Sequence, residues 1–270
     1  MGAGLFDRFA DWTADADAIL GYSIRDLCLE DPRGEIGLTQ FTQPALFVVN
    51  ALTWRARVES GTPQPSFVAG HSLGEYNALH AAGVFDFATG LRMVQRRGAL
   101  MGRVTGGGMA AVIGLAPDRI ESILGASEEG RSVDVANYNS ADQTVIAGPE
   151  SDLTALQPAF ESAGVRKFSL LKVSAPFHSR YMHASMREFG VFLDGFSFAA
   201  PAIPVIANVS AQPYPAEAVR DTLAKQIGHS VRWLDTMTYL LDHGATEFDE
   251  VGPGTVLGKL ALRIRKARAD

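Results

Sequence analysis

The chain has 270 residues, of which 47% are hydrophobic and 20% are charged, so it can bury a large core and does not have the composition of a disordered protein. Its formal net charge is −6, which argues against nucleic acid as a partner. One cysteine, Cys28, excludes an internal disulfide, and neither a signal peptide nor about 18 continuous apolar residues occur, so we expect a cytoplasmic protein with no membrane partner.

The first 107 residues are predicted to be mostly helical. Their apolar spacing predicts four helices, at 5–20, 43–59, 73–82 and 87–101. It also predicts one short buried strand at 65–69. Two further short strands are predicted late in the chain, at 203–206 and 247–251, with helical stretches between them. This alternation favours an α/β fold with a hydrolase-like open, mostly parallel sheet flanked by helices.

A different pattern occupies the middle of the chain. From Met109 to Val173 the predicted order is strand, helix, strand, strand, helix, strand. This βαββαβ order is typical of a ferredoxin-like unit, whose two helices cover one face of its own sheet. We therefore expect an inserted ferredoxin-like subdomain at 108–174 and a large subdomain made of 1–107 and 175–270.

Ser72 lies on a glycine-bounded turn between the predicted strand at 65–69 and the helix at 73–82. Gly70-His71-Ser72-Leu73-Gly74 has the sequence form of a nucleophile elbow, which exposes a serine hydroxyl at a helix N-terminus. We expect Gly70 and Gly74 to be glycine because the tight turn and the approach of the helix leave no room for side chains. A bare Gly-x-Ser-x-Gly also occurs by chance, so a turn without catalytic function stays open on the pattern alone.

A base for Ser72 is expected from elsewhere in the chain, because the adjacent His71 points in a different direction on such a turn. His178 is the candidate, since it follows Pro176 just beyond the predicted subdomain junction. Proline restricts its own backbone and that of the preceding residue, which would hold the ring in a defined place beside a cleft. A purely structural histidine is the alternative.

Six short motifs occur in one order along the chain: Gly70-His71-Ser72-Leu73-Gly74-Glu75-Tyr76, Gln95-Arg96-Arg97-Gly98, Met109-Ala110-Ala111-Val112-Ile113-Gly114, Asn137-Tyr138-Asn139-Ser140, Ala175-Pro176-Phe177-His178-Ser179 and Val251-Gly252-Pro253-Gly254. Together they resemble the malonyl-CoA:acyl-carrier-protein acyltransferase family over nearly the whole chain. The run 74–86 is most similar to the free-standing, trans-acting acyltransferases that serve polyketide synthases.

The resemblance implies a ping-pong transfer of a malonyl group from malonyl-CoA to the phosphopantetheine thiol of an acyl carrier protein. Ser72 would be the nucleophile and His178 its base, with the Leu73 N–H as an oxyanion donor. Arg97 would bind the free carboxylate of malonate, because a guanidinium offers two parallel charge-assisted hydrogen bonds. The coenzyme A thioester and the carrier protein are substrates, and no cofactor or metal is expected.

The resemblance also places four other residues at the site. Gln226 would lie near His178 and Asn208 close by, and either could fix the tautomer of the ring through a neutral hydrogen bond. Asn208 and His71 would also be among the substrate-binding residues. Phe177 would shape the pocket beside the α-carbon of the acyl group. Its bulk predicts malonyl over methylmalonyl.

The sequence departs from the family at its start. Members open with a strand and a Gly-Gln-Gly-Ser-Gln loop, which is absent before Met1-Gly2-Ala3-Gly4. In the family that loop supplies a second oxyanion donor, and losing one such donor costs about 2.7 to 4 kcal/mol of transition-state stabilisation. We therefore expect this sequence to be an N-terminally shortened version of the native chain.

Two alternative functions remain on the sequence alone. An acyl-carrier-protein acyl hydrolase of the same fold would share Ser72 and His178, but it should lack the carboxylate-binding arginine. A non-catalytic carrier-protein docking module would tolerate the loss of an oxyanion donor. Arg97 favours transfer over hydrolysis.

Overall fold

The computed structural model describes residues 1–269. The segment 1–102 is mainly helical, with a short strand that leads to Ser72. In chain order its elements are α1 (Leu5–Arg8), α2 (Ala10–Leu20), α3 (Ile24–Leu29), α4 (Thr39–Glu59), β1 (Val68–Ala69), α5 (Gly74–Ala81) and α6 (Phe87–Gly102).

The helix predicted at 5–20 is interrupted at Phe9. This residue has a non-helical backbone, with φ −119° and ψ 55°, and its side chain is only 2% exposed. The guanidinium groups of Arg8 and Arg55 lie 4.9 and 4.7 Å from the centre of its ring. Burial of the ring between α1 and α2 thus replaces one continuous helix with two shorter ones.

The middle of the chain forms a separate antiparallel sheet covered by two helices. Its elements are β2 (Gly108–Ile113), α7 (Pro117–Ala126), β3 (Asp134–Ser140), β4 (Gln143–Gly148), α8 (Glu150–Ser162) and β5 (Lys167–Leu170). The strand order is β3-β4-β2-β5 and all neighbours are antiparallel. This is the predicted ferredoxin-like arrangement, with β5 ending at Leu170 instead of Val173.

The two helices bury one side of this sheet. Ile120 of α7 and Phe160 of α8 are fully buried in a cluster with Val112 and Ile146 of the central strands. Burying side chains of this size contributes about 1.5 to 3 kcal/mol each. The unit therefore has its own core, and the boundaries at 108 and 174 stay a prediction.

The remaining elements return to the large α/β part. They are α9 (His183–Leu193), β6 (Val205–Ile206), α10 (Val219–Gln226), α11 (Trp233–Asp242) and α12 (Val256–Ala269). β1 and β6 pair in parallel, with Val68 opposite Val205 and Ala69 opposite Ile206. The large core packs around this pair and the helices α4, α5 and α6.

The strand predicted at 247–251 is wrong, because within residues 1–269 no strand is found there. Glu250 instead turns its carboxylate to the start of α12, where it accepts the N–H groups of Leu257 at 3.1 Å and Gly258 at 2.8 Å. An anion at a helix N-terminus satisfies free donors and complements the macrodipole. This local capping replaces strand pairing for the segment.

The parallel pair positions two important turns. The carboxyl ends of β1 and β6 lie at the same edge of the sheet, so the chain after Ala69 and the chain after Ile206 emerge side by side. The first leads to Ser72 and the second to Asn208. Residues 1–269 contain no helix that is long and apolar enough to cross a bilayer.

Candidate active site

Ser72 occupies a strained turn between β1 and α5. Its φ is +51°, in the left-handed region that side chains other than glycine rarely adopt. A Cβ at Gly70 would lie 1.9 Å from the carbonyl carbon of Gly74, so only glycine fits there. A Cβ at Gly74 would meet nothing within 4 Å, so the expected need for glycine holds at Gly70 alone.

Asn208 holds this turn from the end of β6. Its Oδ1 accepts the N–H of Ser72 at 2.7 Å, and its Nδ2 donates to the carbonyl of Gly70 at 2.7 Å. The side chain is fully buried. The predicted substrate contact is therefore not what the structure shows, because both polar atoms of the amide are committed to the nucleophile's backbone.

The geometry joins Ser72 to His178, as predicted. Oγ of Ser72 lies 2.7 Å from Nε2 of His178, whose own backbone is strained at φ +57°. Nδ1 of the ring lies 3.0 Å from the main-chain carbonyl of Gln226. Since a carbonyl only accepts, Nδ1 carries the proton and Nε2 is left to accept the serine proton.

The environment keeps this imidazole neutral. Burial, followed by the nearby charge of Arg97, lowers the pKa of His178 to about 3. At neutral pH the ring is thus uncharged, with its proton on Nδ1 and Nε2 free to accept one, which is the state that a base requires.

Gln226 contacts the ring of His178 through its main chain and not through its side chain. Any residue at this position could provide that contact. The side-chain Nε2 instead donates to the carbonyl of Ser72 at 2.6 Å and to Oε2 of Glu75 at 2.6 Å. Gln226 thus lies beside His178 as predicted, with the neutral hydrogen bond to the ring coming from its main-chain carbonyl, and its orienting role stays a prediction.

Arg97 of α6 reaches the nucleophile from the other side. The residue is 1% exposed, and Nη2 donates to Oγ of Ser72 at 3.0 Å and to Oε1 of Gln226 at 2.9 Å. Nη1 donates to Oε1 of Gln43 at 2.5 Å. Among residues 1–269, no carboxylate oxygen lies within 4 Å of this guanidinium, so a buried cation faces the nucleophile without a direct ion pair, and the charge of Glu75 acts on it only from a greater distance.

Arg96, the neighbouring arginine, behaves differently. Its guanidinium points to the surface and pairs with Glu188. Surface pairs of this kind contribute about 0 to 1 kcal/mol. The two adjacent arginines are thus separated into one site residue and one surface residue.

Two buried polar residues at the site were not predicted from the sequence. Glu75, in the first turn of α5, is fully buried and accepts hydrogen bonds from Tyr214, Asn208 and Gln226. Burial raises the pKa of Glu75 to about 7. Gln43, on α4, is 6% exposed and accepts from Arg97. The sequence feature that could have identified Glu75 as a site residue is its position one helical turn after Ser72, next to the nucleophile elbow.

The other predicted residues line the surroundings of this centre. His71 points away from Ser72, with Nε2 2.9 Å from Oδ1 of Asn139, and burial lowers its pKa. Phe177 is half-buried between the main core and a small cluster of the ferredoxin-like unit. Within residues 1–269 the N–H of Leu73 donates to no protein acceptor, so it is available to an oxyanion.

A cavity of about 490 Å³ adjoins His178. Its walls come from the ferredoxin-like unit on one side and the large part on the other, and they include Asp134, Tyr138, His178, Arg180, His183 and His229. Clefts between structural units are common binding sites.

The comparisons with known proteins agree with this geometry. Residues 1–259 match the family model described as the acyl transferase domain. The chain is 50% identical over 267 residues to a Bacillus subtilis protein named polyketide biosynthesis malonyl CoA-acyl carrier protein transacylase PksC, covering 98% of this chain and 92% of that protein. It is 50% identical to polyketide biosynthesis protein PksE of the same organism, but spans only 35% of its length.

Two solved structures share the fold. The malonyl CoA-acyl carrier protein transacylase of Burkholderia pseudomallei is 48% identical with a TM-score of 0.95, covering 98% of this chain and 93% of that one. A malonyl-transacylase solved in complex with its type II polyketide acyl-carrier protein is 37% identical with a TM-score of 0.93, covering 98% and 88%. These similarities confirm the resemblance drawn from the six motifs. The chain belongs to the acyl transferase domain family.

Proposed function

We propose that the protein transfers a malonyl group from malonyl-CoA to the phosphopantetheine thiol of an acyl carrier protein. The observation that carries this proposal is the buried Arg97, which has no carboxylate in direct contact within residues 1–269 and lies 3.0 Å from the nucleophilic oxygen. A buried cation that is not directly paired is costly, and a substrate carboxylate would compensate it. The names of the relatives, malonyl CoA-acyl carrier protein transacylases of which one is named for polyketide biosynthesis, support the same reaction.

In the first half-reaction, Oγ of Ser72 attacks the thioester carbonyl while Nε2 of His178 takes its proton. The oxyanion then accepts the N–H of Leu73. Collapse of the tetrahedral intermediate breaks the carbon–sulfur bond, and His178 returns the proton to the departing thiolate of coenzyme A. The products are free coenzyme A and a malonyl-serine ester.

Arg97 would link substrate choice to the strength of the base. Burial and, after it, the charge of Arg97 lower the pKa of His178, so the base is weak while the site is empty. A bound malonyl carboxylate would neutralise that charge and make the imidazole more basic. A plain acyl group lacks the carboxylate and would leave the base weak.

The second half-reaction repeats these steps with a different thiol. The phosphopantetheine thiol gives its proton to His178 and attacks the ester, and Ser72 leaves with the proton from the same ring. We assign the cavity beside His178 to the pantetheine arm, because it opens next to the base and lies between the two structural units. A relative solved in complex with its carrier protein supports this class of partner.

Further parts of the proposal concern selectivity and setting. Phe177, half-buried beside His178, would crowd an α-methyl branch, so malonyl-CoA should react faster than methylmalonyl-CoA. Comparable rates with the two thioesters would contradict this role. The proposed steps use only side chains and backbone amides, so we propose no metal or cofactor. The reducing cytoplasm, where the unpaired Cys28 is stable, is the proposed location.

The experiment is incubation with labelled malonyl-CoA, with and without a holo acyl carrier protein. Transfer of the label to the carrier supports the proposal. Loss of the label to water at the same rate with and without carrier would indicate a hydrolase, and no labelling would indicate a docking module. Ser72→Ala is the matched control, which should take up no label.

A further inference from the structure

We propose that Glu75 is a positioning residue, which fixes the side-chain amide of Gln226 and thereby holds Arg97 in the orientation that receives the substrate carboxylate. This inference rests on the proposed function. The N–H of Glu75 donates to the main-chain carbonyl of Ser72 at 3.1 Å, but the side chain of Glu75 makes no hydrogen bond to the side chains of Ser72, His178 or Arg97. It acts through one intervening side chain.

The contacts of Glu75 show a carboxylate used entirely as an acceptor. Oε1 accepts the hydroxyl of Tyr214 at 2.5 Å and the N–H of Asn208 at 3.1 Å, and Oε2 accepts Nε2 of Gln226 at 2.6 Å. The residue is fully buried, so water does not replace any of these partners. Burying an ionised carboxylate away from water costs free energy, and three hydrogen-bond donors are aligned to stabilise it.

Gln226 has two possible amide orientations, and its neighbours select one. With Nε2 toward Glu75 and the carbonyl of Ser72, both contacts join a donor to an acceptor. Oε1 then faces Nη2 of Arg97 at 2.9 Å. After a flip, the NH₂ group would face the donors of Arg97, and Oε1 would face two other acceptors.

The position of the Arg97 guanidinium depends on this orientation of the Gln226 amide. The same Nη2 that donates to Gln226 also donates to Oγ of Ser72, so the amide oxygen holds the guanidinium edge against the nucleophile. Gln43 fixes the other terminal nitrogen. Releasing one of the two supports would loosen the group that recognises the carboxylate, whereas the Ser72–His178 contact does not involve Glu75.

A purely electrostatic role for Glu75 predicts the opposite effect. Its negative charge partly offsets that of Arg97, so removing the charge alone would strengthen the attraction for malonate. A glutamine at position 75 would keep its oxygen toward Tyr214 and Asn208 and turn its own NH₂ group toward Nε2 of Gln226, so the Gln226 amide would lose one of the two acceptors that hold it. The sign of the change in selectivity therefore separates the two roles.

The test compares Glu75→Gln with the parent enzyme, using malonyl-CoA and acetyl-CoA as acyl donors and measuring kcat/KM for acylation of Ser72. We expect the ratio of malonyl to acetyl kcat/KM to fall by about tenfold, because coupling between residues of one hydrogen-bond network changes equilibria by such factors. General damage to the fold would lower both values alike. Glu188→Gln, at the surface partner of Arg96, is the matched control and should leave the ratio unchanged.

Arg97→Ala supplies the second arm of the test. In that background Glu75→Gln should change the ratio no further, because Glu75 acts only through Arg97. If the folded protein is lost with Glu75→Gln, Gln226→Leu replaces it, since leucine keeps the bulk and the main-chain contact to His178 but removes the amide. An unchanged or increased ratio in whichever variant is folded would overturn the inference.

The outcomes separate the two proposals. If the parent enzyme is not acylated by malonyl-CoA, the proposed function fails. If it is acylated and Arg97→Ala lowers the ratio, but Glu75→Gln and Gln226→Leu do not, only the positioning role fails.

Discussion

Replacing Arg97 with alanine should remove malonyl selectivity while preserving the chemistry at Ser72. The guanidinium offers a substrate carboxylate two charge-assisted hydrogen bonds, and bonds of that class are worth about 1.5 to 3 kcal/mol each. Losing both costs about 3 to 6 kcal/mol, or roughly two to four orders of magnitude in kcat/KM for malonyl-CoA. Acetyl-CoA lacks the carboxylate, so its kcat/KM should stay level or rise as His178 becomes more basic.

The assay measures acylation of Ser72 by malonyl-CoA and acetyl-CoA under single-turnover conditions. Arg97→Ala also leaves the oxygens of Gln43 and Gln226 unpaired, which costs stability of about 1 to 3 kcal/mol for each, so thermal unfolding must be followed in parallel. Arg96→Ala is the matched control, because it removes the adjacent arginine at the surface. A folded Arg97→Ala enzyme that keeps its preference for malonyl would refute the reasoning.

Three further predictions test the surroundings of the nucleophile. Gly70→Ala should abolish activity and lower the melting temperature, because its Cβ would lie 1.9 Å from the backbone of Gly74, whereas Gly74→Ala meets nothing within 4 Å and should remain active; equal effects would contradict the elbow geometry. NMR titration should find the His178 ring neutral down to about pH 5, since its pKa is lowered to about 3, and a midpoint near 6.5 would be inconsistent with the buried, Arg97-facing site. The pKa of Glu75 is raised from 4.5 to about 7, so the folded state holds this proton more tightly, and the stability that this gives is lost as the pH rises through that range. The free energy of unfolding of the parent should therefore fall relative to Glu75→Gln between those pH values in denaturant titrations, and a constant difference would argue against the shift.

The local patterns of the chain predict much of the fold. A short apolar strand, a glycine-bounded serine and a helix follow one another within 65–82, and each element depends mainly on near neighbours. The βαββαβ order of the middle segment likewise arises from alternating local periodicities. These elements were predicted correctly, with differences of a few residues at their ends.

Long-range contacts decided the elements that were predicted wrongly. The helix at 5–20 breaks because the ring of Phe9 packs beneath Arg55, which is 46 positions away in sequence. The segment 247–251 caps α12 through Glu250 instead of pairing as a strand. Neither partner can be identified from the periodicity of the segment itself.

At the site, too, the sequence identifies which residues take part but not which of their atoms make the contacts. Ser72, His178 and Arg97 were identified from motifs. In the structure, His178 and Arg97 both lie within hydrogen-bond distance of Oγ of Ser72. The contacts of Asn208 and Gln226 depend on which atoms face each other after folding, so the sequence does not predict that Asn208 binds the backbone of Ser72 or that the Gln226 contact to His178 comes from the main chain. Glu75 was overlooked because an acid in the first turn of a helix is ordinarily a surface feature that complements the macrodipole.

The most direct test of the central claim is to locate the acyl group chemically. After brief incubation with malonyl-CoA, the acid-quenched protein is digested and its peptides are mapped by mass spectrometry. The account predicts one malonyl ester, on Ser72, which disappears when a holo acyl carrier protein is added and does not form in His178→Ala. Finding no ester, or finding it on another residue, would contradict the account.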